Sequence, residues 1–257
     1  MPEAMVESLE PLPPVDSLYD YRSGFEEVPN WLPYNQGDVF DEVDVPGIVN
    51  HSGAVMLFMH PCTMRDARGI REFVTVVSVR EQSAKKILDS SFWERHYKAM
   101  PLPDLKGDGH STHYGDLMTV NTIASSAIPR SKRIAQLSLV GRLHFLHRTI
   151  FHLTRFAPST SELERATRAV ERELQQQADW LESASGGVAL TSEEIDSIEH
   201  SFQNYLDVAW VARAGEPQPL AGTLREGLHA ADSSQAVRRI QRDIAEGLPE
   251  QSDSSAG

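Results

Sequence analysis

The spacing of apolar and polar residues changes period once along this chain, and the change divides it in two. Between Gly37 and Ile123 the apolar residues fall in short runs. Val39, Phe40 and Val43 come first, then Ala54 to Met59 unbroken between Ser52-Gly53 and Pro61, then the valine-dense stretch Phe73 to Val79, and then Leu117, Val120 and Ile123. Short runs rich in β-branched residues and bounded by glycine or proline predict four strands, at 37–44, 54–59, 73–79 and 116–123. A helix at 90–99, stopped by Met100-Pro101-Leu102-Pro103, and a glycine-bearing loop at 106–115 separate the last two. Strands this short and mostly without helices between them predict an antiparallel small barrel rather than a parallel sheet.

After Pro129 the period becomes helical. Leu139, Leu143, Leu146, Ile150 and Leu153 step by four, three, four and three, which predicts the buried stripe of a helix ending near Phe156 and Pro158. Ser159-x-x-Glu162 and Thr191-x-x-Glu194 are capping boxes that open helices at 159–183 and 191–214, with Gly186-Gly187 between them. An amphipathic segment at 234–246 follows. The predicted fold class is α+β: a small antiparallel β-barrel at 36–129 followed by a helical region at 130–247. In front stands an acidic, proline-rich arm at 1–35, and behind, a Ser/Asp/Gly tail at 248–257 that reads as disordered. The arm carries Tyr19, Tyr21, Phe25, Trp31 and Tyr34. Rings so dense predict that 19–34 docks on the body or on a partner, while 1–16 stays mobile.

Composition narrows the class. The chain has 257 residues, 40% apolar and 24% charged, enough for a core that needs no disulfide or metal. Cys62 is the only cysteine, which fits a reducing cytoplasm. No basic start precedes an apolar run, and nothing approaches the roughly 20 apolar residues of a membrane span, so the expectation is a cytoplasmic protein with no membrane partner. The net charge of −13 conceals an asymmetry. Up to Asp44 there is one basic residue, Arg22, against eleven carboxylates, whereas His51 to Phe156 holds fifteen Lys/Arg against eight Asp/Glu. A basic centre of that kind meets a polyanion or is covered by the chain's own acidic flanks.

Three places hold candidate chemistry. On the helix after Pro129, His144, Arg148, His152 and Arg155 step by four, four and three, with Arg142 close by. That stripe is either a cationic face for phosphates of RNA or DNA, or a solvated or acid-paired helix side. The loop from Asp108 to Asp116 holds His110, His113 and two carboxylates, suited to zinc or iron ligation in a metal-dependent hydrolase, to general acid–base work or to turn formation; because it matches no fixed metal spacing, the metal reading trails and no metal or cofactor is expected. At His60-Pro61-Cys62-Thr63-Met64-Arg65-Asp66-Ala67-Arg68, an imidazole precedes a thiol, and Arg65 and Arg68 leave the strand as cations able to stabilise a phosphorane. There is no Walker loop, dinucleotide fingerprint, Cys-x-x-Cys pair or Gly-x-Ser-x-Gly elbow, which counts against the corresponding chemistries.

The order Gly37-Asp38-Val39-Phe40, then Gly53 to Cys62, then the valine strand at Phe73, resembles the opening of the MazF/PemK-type small barrels. The resemblance covers 37–134 and implies an SH3-like β-barrel. It also implies a ribonuclease site at Arg65, Thr63 and Arg68. The chain departs from those compact toxins in its length, in the helices after Pro158, and in placing His-Pro-Cys-Thr-Met where they present a polar Ser/Thr turn. The first expectation is therefore a non-catalytic interaction or regulatory protein with a protein partner, within a nucleic-acid-handling or defence assembly and compatible with homo-oligomers. The alternative is a MazF-like endoribonuclease whose acidic segments restrain its basic surface.

Overall fold

The computed structural model describes residues 8–45, 52–66, 69–82, 90–109, 111–213, 218–219 and 221–247. A one-turn helix, α1 (Val15–Leu18), leads into β1 (Tyr19–Arg22), followed by β2 (Val39–Asp44) and β3 (Ser52–Leu57). Then come α2 (Pro61–Met64), β4 (Arg65–Asp66), β5 (Gly69–Ile70), β6 (Phe73–Gln82), α3 (Ser90–Arg95), β7 (Ala99–Pro103), β8 (Thr112–Ala124) and β9 (Arg133–Leu137). The helices α4 (Leu139–Thr154), α5 (Thr160–Ser185), α6 (Ser192–Asp207), α7 (Leu224–His229) and α8 (Ser234–Ala245) complete the chain. Two compact units result. One runs to Val28 and continues through Tyr34–Asp66 and Ile70–Ala166; the other takes Pro29–Pro33 and the chain from Thr167 onward.

In the first unit seven strands form one antiparallel sheet, ordered β1-β9-β2-β3-β6-β8-β7. The four strands legible in the sequence are β2, β3, β6 and β8. The sheet is not closed into a barrel, because β1 and β7 end it. Proline explains the open edge. Pro101 and Pro103 lie on β7 opposite Tyr114 and Thr112 of β8. Lacking an N–H, they fit only where they face away from that ladder, and they strip the outer edge of donors that another strand would need. Side chains tie the two edges instead: the Tyr19 hydroxyl donates to the Pro103 carbonyl at 3.0 Å, and Arg22 Nη1 reaches Asp104 Oδ2 at 2.6 Å.

Alternate residues of the central strands enter separate cores. Val39, Met56, Val77 and Val79 pack on one face with Leu102, Leu137 and Phe145 of α4, while Phe40, Val55, Leu57, Val74 and Val76 pack on the other with Tyr34 and Met64. Burial on both faces is why the strands at 54–59 and 73–79 read as continuous apolar runs. The N-terminal arm joins this body sooner than its composition suggests. Leu9 is buried against Phe151 and Ala157, and Glu10 accepts from the Thr160 amide at 3.0 Å and the Thr160 hydroxyl at 2.7 Å at the start of α5. In the second unit, α5 to α8 enclose Trp180, Phe202, Leu206, Leu224, Leu228 and Ile240. Both expected capping boxes form there or at its border, and a third, at Thr223 and Glu226, opens α7.

Helix α4 lies where the period predicts it, but a different face is buried. Leu143 is inside, Leu139, Leu146 and Ile150 are half-buried, and Leu153 is 72% exposed. His144, His147 and Arg148 face the protein instead. The helix comes so close to the arm that a Cβ at Gly141 would stand 2.3 Å from the Leu18 carbonyl oxygen. Arg148, wholly buried, donates to the carbonyls of Ala99 at 3.1 Å and of Trp93 at 3.0 Å, the latter also accepting the His96 amide at 3.2 Å in the turn that closes α3. Burial pulls its guanidinium down to about 10, with Glu94 opposing. Satisfying those acceptors outweighs the preference of a cation for water.

Arg148→Ala is expected to lower unfolding stability by roughly 2–4 kcal/mol, since it removes charged donors from buried carbonyls and opens a cavity. Leu153→Ala should change it by less than about 0.5 kcal/mol. Urea unfolding of the two variants checks this, and the reverse ranking would contradict the observed helix orientation.

Candidate functional site

The loop after β3 holds the residues expected to cleave RNA. Its one-turn helix α2 is anchored by Met64, fully buried among Tyr34, Phe40 and Leu57. The Thr63 hydroxyl donates to the His60 carbonyl at 2.7 Å, and Arg65 Nη2 donates to the Tyr34 carbonyl at 3.0 Å. Tyr34 is itself a hub. Its hydroxyl donates to the Ile128 carbonyl at 3.0 Å, and the guanidinium of Arg130 lies 4.3 Å from its ring centroid. Arg65 thus belongs to the packing that holds the chain before β2 against the chain before β9. Arg68 and the side chain of Cys62 lie outside the described residues.

The five candidate residues on and beside α4 part company. Arg142 Nη1 donates to the Leu137 carbonyl at 2.7 Å, with Asp20 at 4.0 Å. His144 and Arg148 are buried. Between them, His147 accepts the Glu10 amide proton at Nε2 (3.3 Å) and has Nδ1 2.9 Å from the Pro158 carbonyl. A carbonyl only accepts, so the ring proton sits on Nδ1. His152 and Arg155 reach the surface at the C-terminal turn, where Arg155 ends the helix in a left-handed conformation, φ 68°. Its Nη1 donates to the carbonyls of Phe151 and His152, a cation placed at the negative end of the helix.

In the loop before β8 the carboxylates shape turns. Asp104 Oδ1 accepts the Gly109 amide and Asp108 Oδ1 the Ser111 amide, both at 2.7 Å. His113 is buried, and His110 lies outside the described residues. Among the described residues no group of three or more His, Cys, Asp or Glu side chains is placed to hold a metal ion, and no helix is long and apolar enough to cross a membrane.

One surface cluster stands out, and the sequence pattern points to only half of it. The ring of Tyr97, between α3 and β7, gathers the Arg155 guanidinium at 3.9 Å, Lys98 Nζ at 5.9 Å and the His152 ring at 6.2 Å. Arg155 and Lys98 are exposed; Tyr97 and His152 are half-buried. The sequence signal for Tyr97 and Lys98 is slight, because Arg95-His96-Tyr97-Lys98 reads as the tail of a helix at 90–99 rather than as its exit. His96, beside them, is pulled below the usual histidine range by burial and then by the charges of Arg148 and Lys98, with Asp116 opposing. Lys98 and Arg155 thus place two exposed cations beside one ring on a chain that is acidic overall.

Burial sets a pH dependence. It pushes His144 down to about 4, opposed by Glu10 and reinforced by Arg148 and His147. Between pH 6.5 and 4 the unfolded chain then binds the extra proton, so this contribution is whole above about 6.5 and is lost as pH falls towards 4, on the order of 3 kcal/mol. Glu10, held below the ordinary carboxylate range despite burial by the Thr160 hydroxyl and amide and by His147 and His144, loses its contribution only at lower pH. Denaturant midpoints from pH 7.5 to 4 should fall more steeply for wild type than for His144→Gln; parallel curves would contradict the burial assigned to this ring.

No protein-family model matches the chain, and no curated protein is significantly similar to it.

Proposed function

We propose that this is a non-catalytic interaction protein: an antiparallel sheet domain with a helical extension that engages a partner through its surface, in a nucleic-acid-handling or defence assembly of the cytoplasm. The observation that carries this reading is the exposed cluster of Lys98 and Arg155 around Tyr97. It combines exposed charge with aromatic area at the surface, the residue types from which contact surfaces draw their affinity. The hydrogen bonds that Thr63, Arg65 and Arg148 make to main-chain carbonyls support the same reading, since they give each group a structural role.

A second reading, a MazF-like endoribonuclease on an SH3-like barrel with Arg65, Thr63 and Arg68 at the scissile phosphate, is favoured by one feature. The side chains of Tyr19 and Arg22 draw the two sheet edges together, as a closing barrel would.

Incubating the purified protein with a long mixed-sequence RNA separates the two. The interaction reading expects intact RNA from a folded protein. Cleavage that Arg65→Ala lowers about a hundredfold, by loss of a transition-state cation, would overturn it.

A further inference from the structure

We infer that the last turn of α4 and the adjoining Tyr97-Lys98 segment form a docking surface for an acidic polypeptide segment that carries an apolar side chain between its carboxylates. The inference rests on the interaction reading and names the chemistry of the partner.

Charge accounting along the chain singles out this surface. From Leu117 to Ser161 the sequence holds six Lys/Arg, three His and no carboxylate. The fold uses most of those cations internally. Arg133 Nη1 pairs with Asp38 at 2.9 Å, Arg148 serves carbonyls, Lys132 Nζ donates to the Glu42 carbonyl at 2.6 Å, Arg142 donates to the Leu137 carbonyl, and Arg130 covers Tyr34. Arg155 stays exposed even as its Nη1 donates to the Phe151 and His152 carbonyls, and Lys98, also exposed, lies 5.9 Å from the centroid of the same Tyr97 ring. Among the described residues neither Arg155 nor Lys98 has a carboxylate within ion-pair distance. Within the arm, Glu10 has both carboxylate oxygens on Thr160, and Asp20 lies 4.0 Å from Arg142.

The same turn exposes apolar area. Leu153 is 72% exposed and Phe156, three residues on, is 45% exposed. Exposed cations alone would be ordinary solvated charge; together with two large apolar side chains within one turn they match a ligand that is anionic and apolar at short spacing. A nucleic acid fits less well. Strong backbone binding draws on about six to ten phosphate contacts, whereas two exposed cations without a carboxylate partner stand here on a chain of net charge −13. A short acidic peptide needs only the local potential, which ordinary salt screens from the rest of the surface over about 8 Å.

An ¹⁵N-resolved NMR titration of the full chain tests this with three probes: a synthetic peptide of glutamates interrupted by one Leu and one Phe, an oligoglutamate of equal charge, and a twenty-nucleotide oligouridine. The Leu/Phe peptide should shift the amides of Tyr97, Lys98 and His152 to Phe156, and bind at least fivefold more weakly at 0.5 M salt. The exposed-site double variant Lys98→Gln with Arg155→Gln should weaken it at least fivefold, and so should Leu153→Ser, with the remaining spectrum unchanged. Equal binding of oligoglutamate would remove the apolar half of the inference and overturn it. Tighter binding of oligouridine at the same amides, or no shift at these residues with the Leu/Phe peptide, would overturn it too. Those outcomes leave the non-catalytic reading standing, because RNA cleavage is what decides that.

Discussion

The buried ion pair between Asp38 and Arg133 is the constraint on which the rest of the sheet depends. Both side chains are wholly shielded from solvent, with Arg133 Nη1 2.9 Å from Asp38 Oδ2 and the Asn35 amide donating to the same oxygen at 2.9 Å. Burial pulls the arginine below its ordinary range and Asp38 pulls it back up. A pair this dry adds little net stability over an apolar pair, because both ions have lost their water, but neither partner tolerates the absence of the other. What it supplies is register. Arg133 opens β9 and Asp38 immediately precedes β2, so the pair fixes Val39 opposite Ala135 and Phe40 opposite Arg133. Gly37 permits that approach: at φ +88° it turns the chain into β2, and a Cβ there would stand 2.4 Å from Leu137 Cδ1.

The same principle recurs through the basic block. A carboxylate-free stretch of sequence would be expected to present its cations to solvent, yet Arg148, Arg130, Lys132 and Arg142 hold main-chain carbonyls or a tyrosine ring. Guanidinium suits this use because it stays charged when partly desolvated and offers several donors in a plane. The consequence for function is selective exposure. Of the six cations between Leu117 and Ser161 only Arg155 is exposed, beside Tyr97 and Lys98, while Arg71, Arg80, Arg95 and Lys106 face solvent elsewhere in the block.

Much of the fold was legible in the sequence, and the failures have physical causes. β2, β3, β6 and β8 announced themselves by apolar runs, and α4, α5, α6 and α8 by period and capping. β7 was hidden because Pro101 and Pro103 read as a helix stop, although proline is admissible on an edge strand whose outer side stays unpaired. β1 lay in a segment whose prolines and acids suggested an arm, and β9 was absorbed into the helical region after Pro129. The rotated burial of α4, with Leu143 inside, Leu139, Leu146 and Ile150 half-buried and Leu153 exposed, follows from a limit of periodicity: spacing finds a helix, but partners far away in sequence, such as the Trp93 and Ala99 carbonyls that Arg148 holds, help set which side turns inward. Of the surface cluster, His152 and Arg155 were visible in the polar stripe, whereas Tyr97 and Lys98 joined it only through the tertiary fold.

A double-mutant cycle on the ion pair tests this account most directly. Asp38→Asn, Arg133→Met and the combined variant would be unfolded in urea. The account predicts that each single change costs roughly 3–5 kcal/mol, while the pair together costs far less than the sum, because no unpaired charge then remains buried. Additive losses of under about 1 kcal/mol each would show that the pair is exposed or dispensable and would contradict its role in setting the register of β2 on β9.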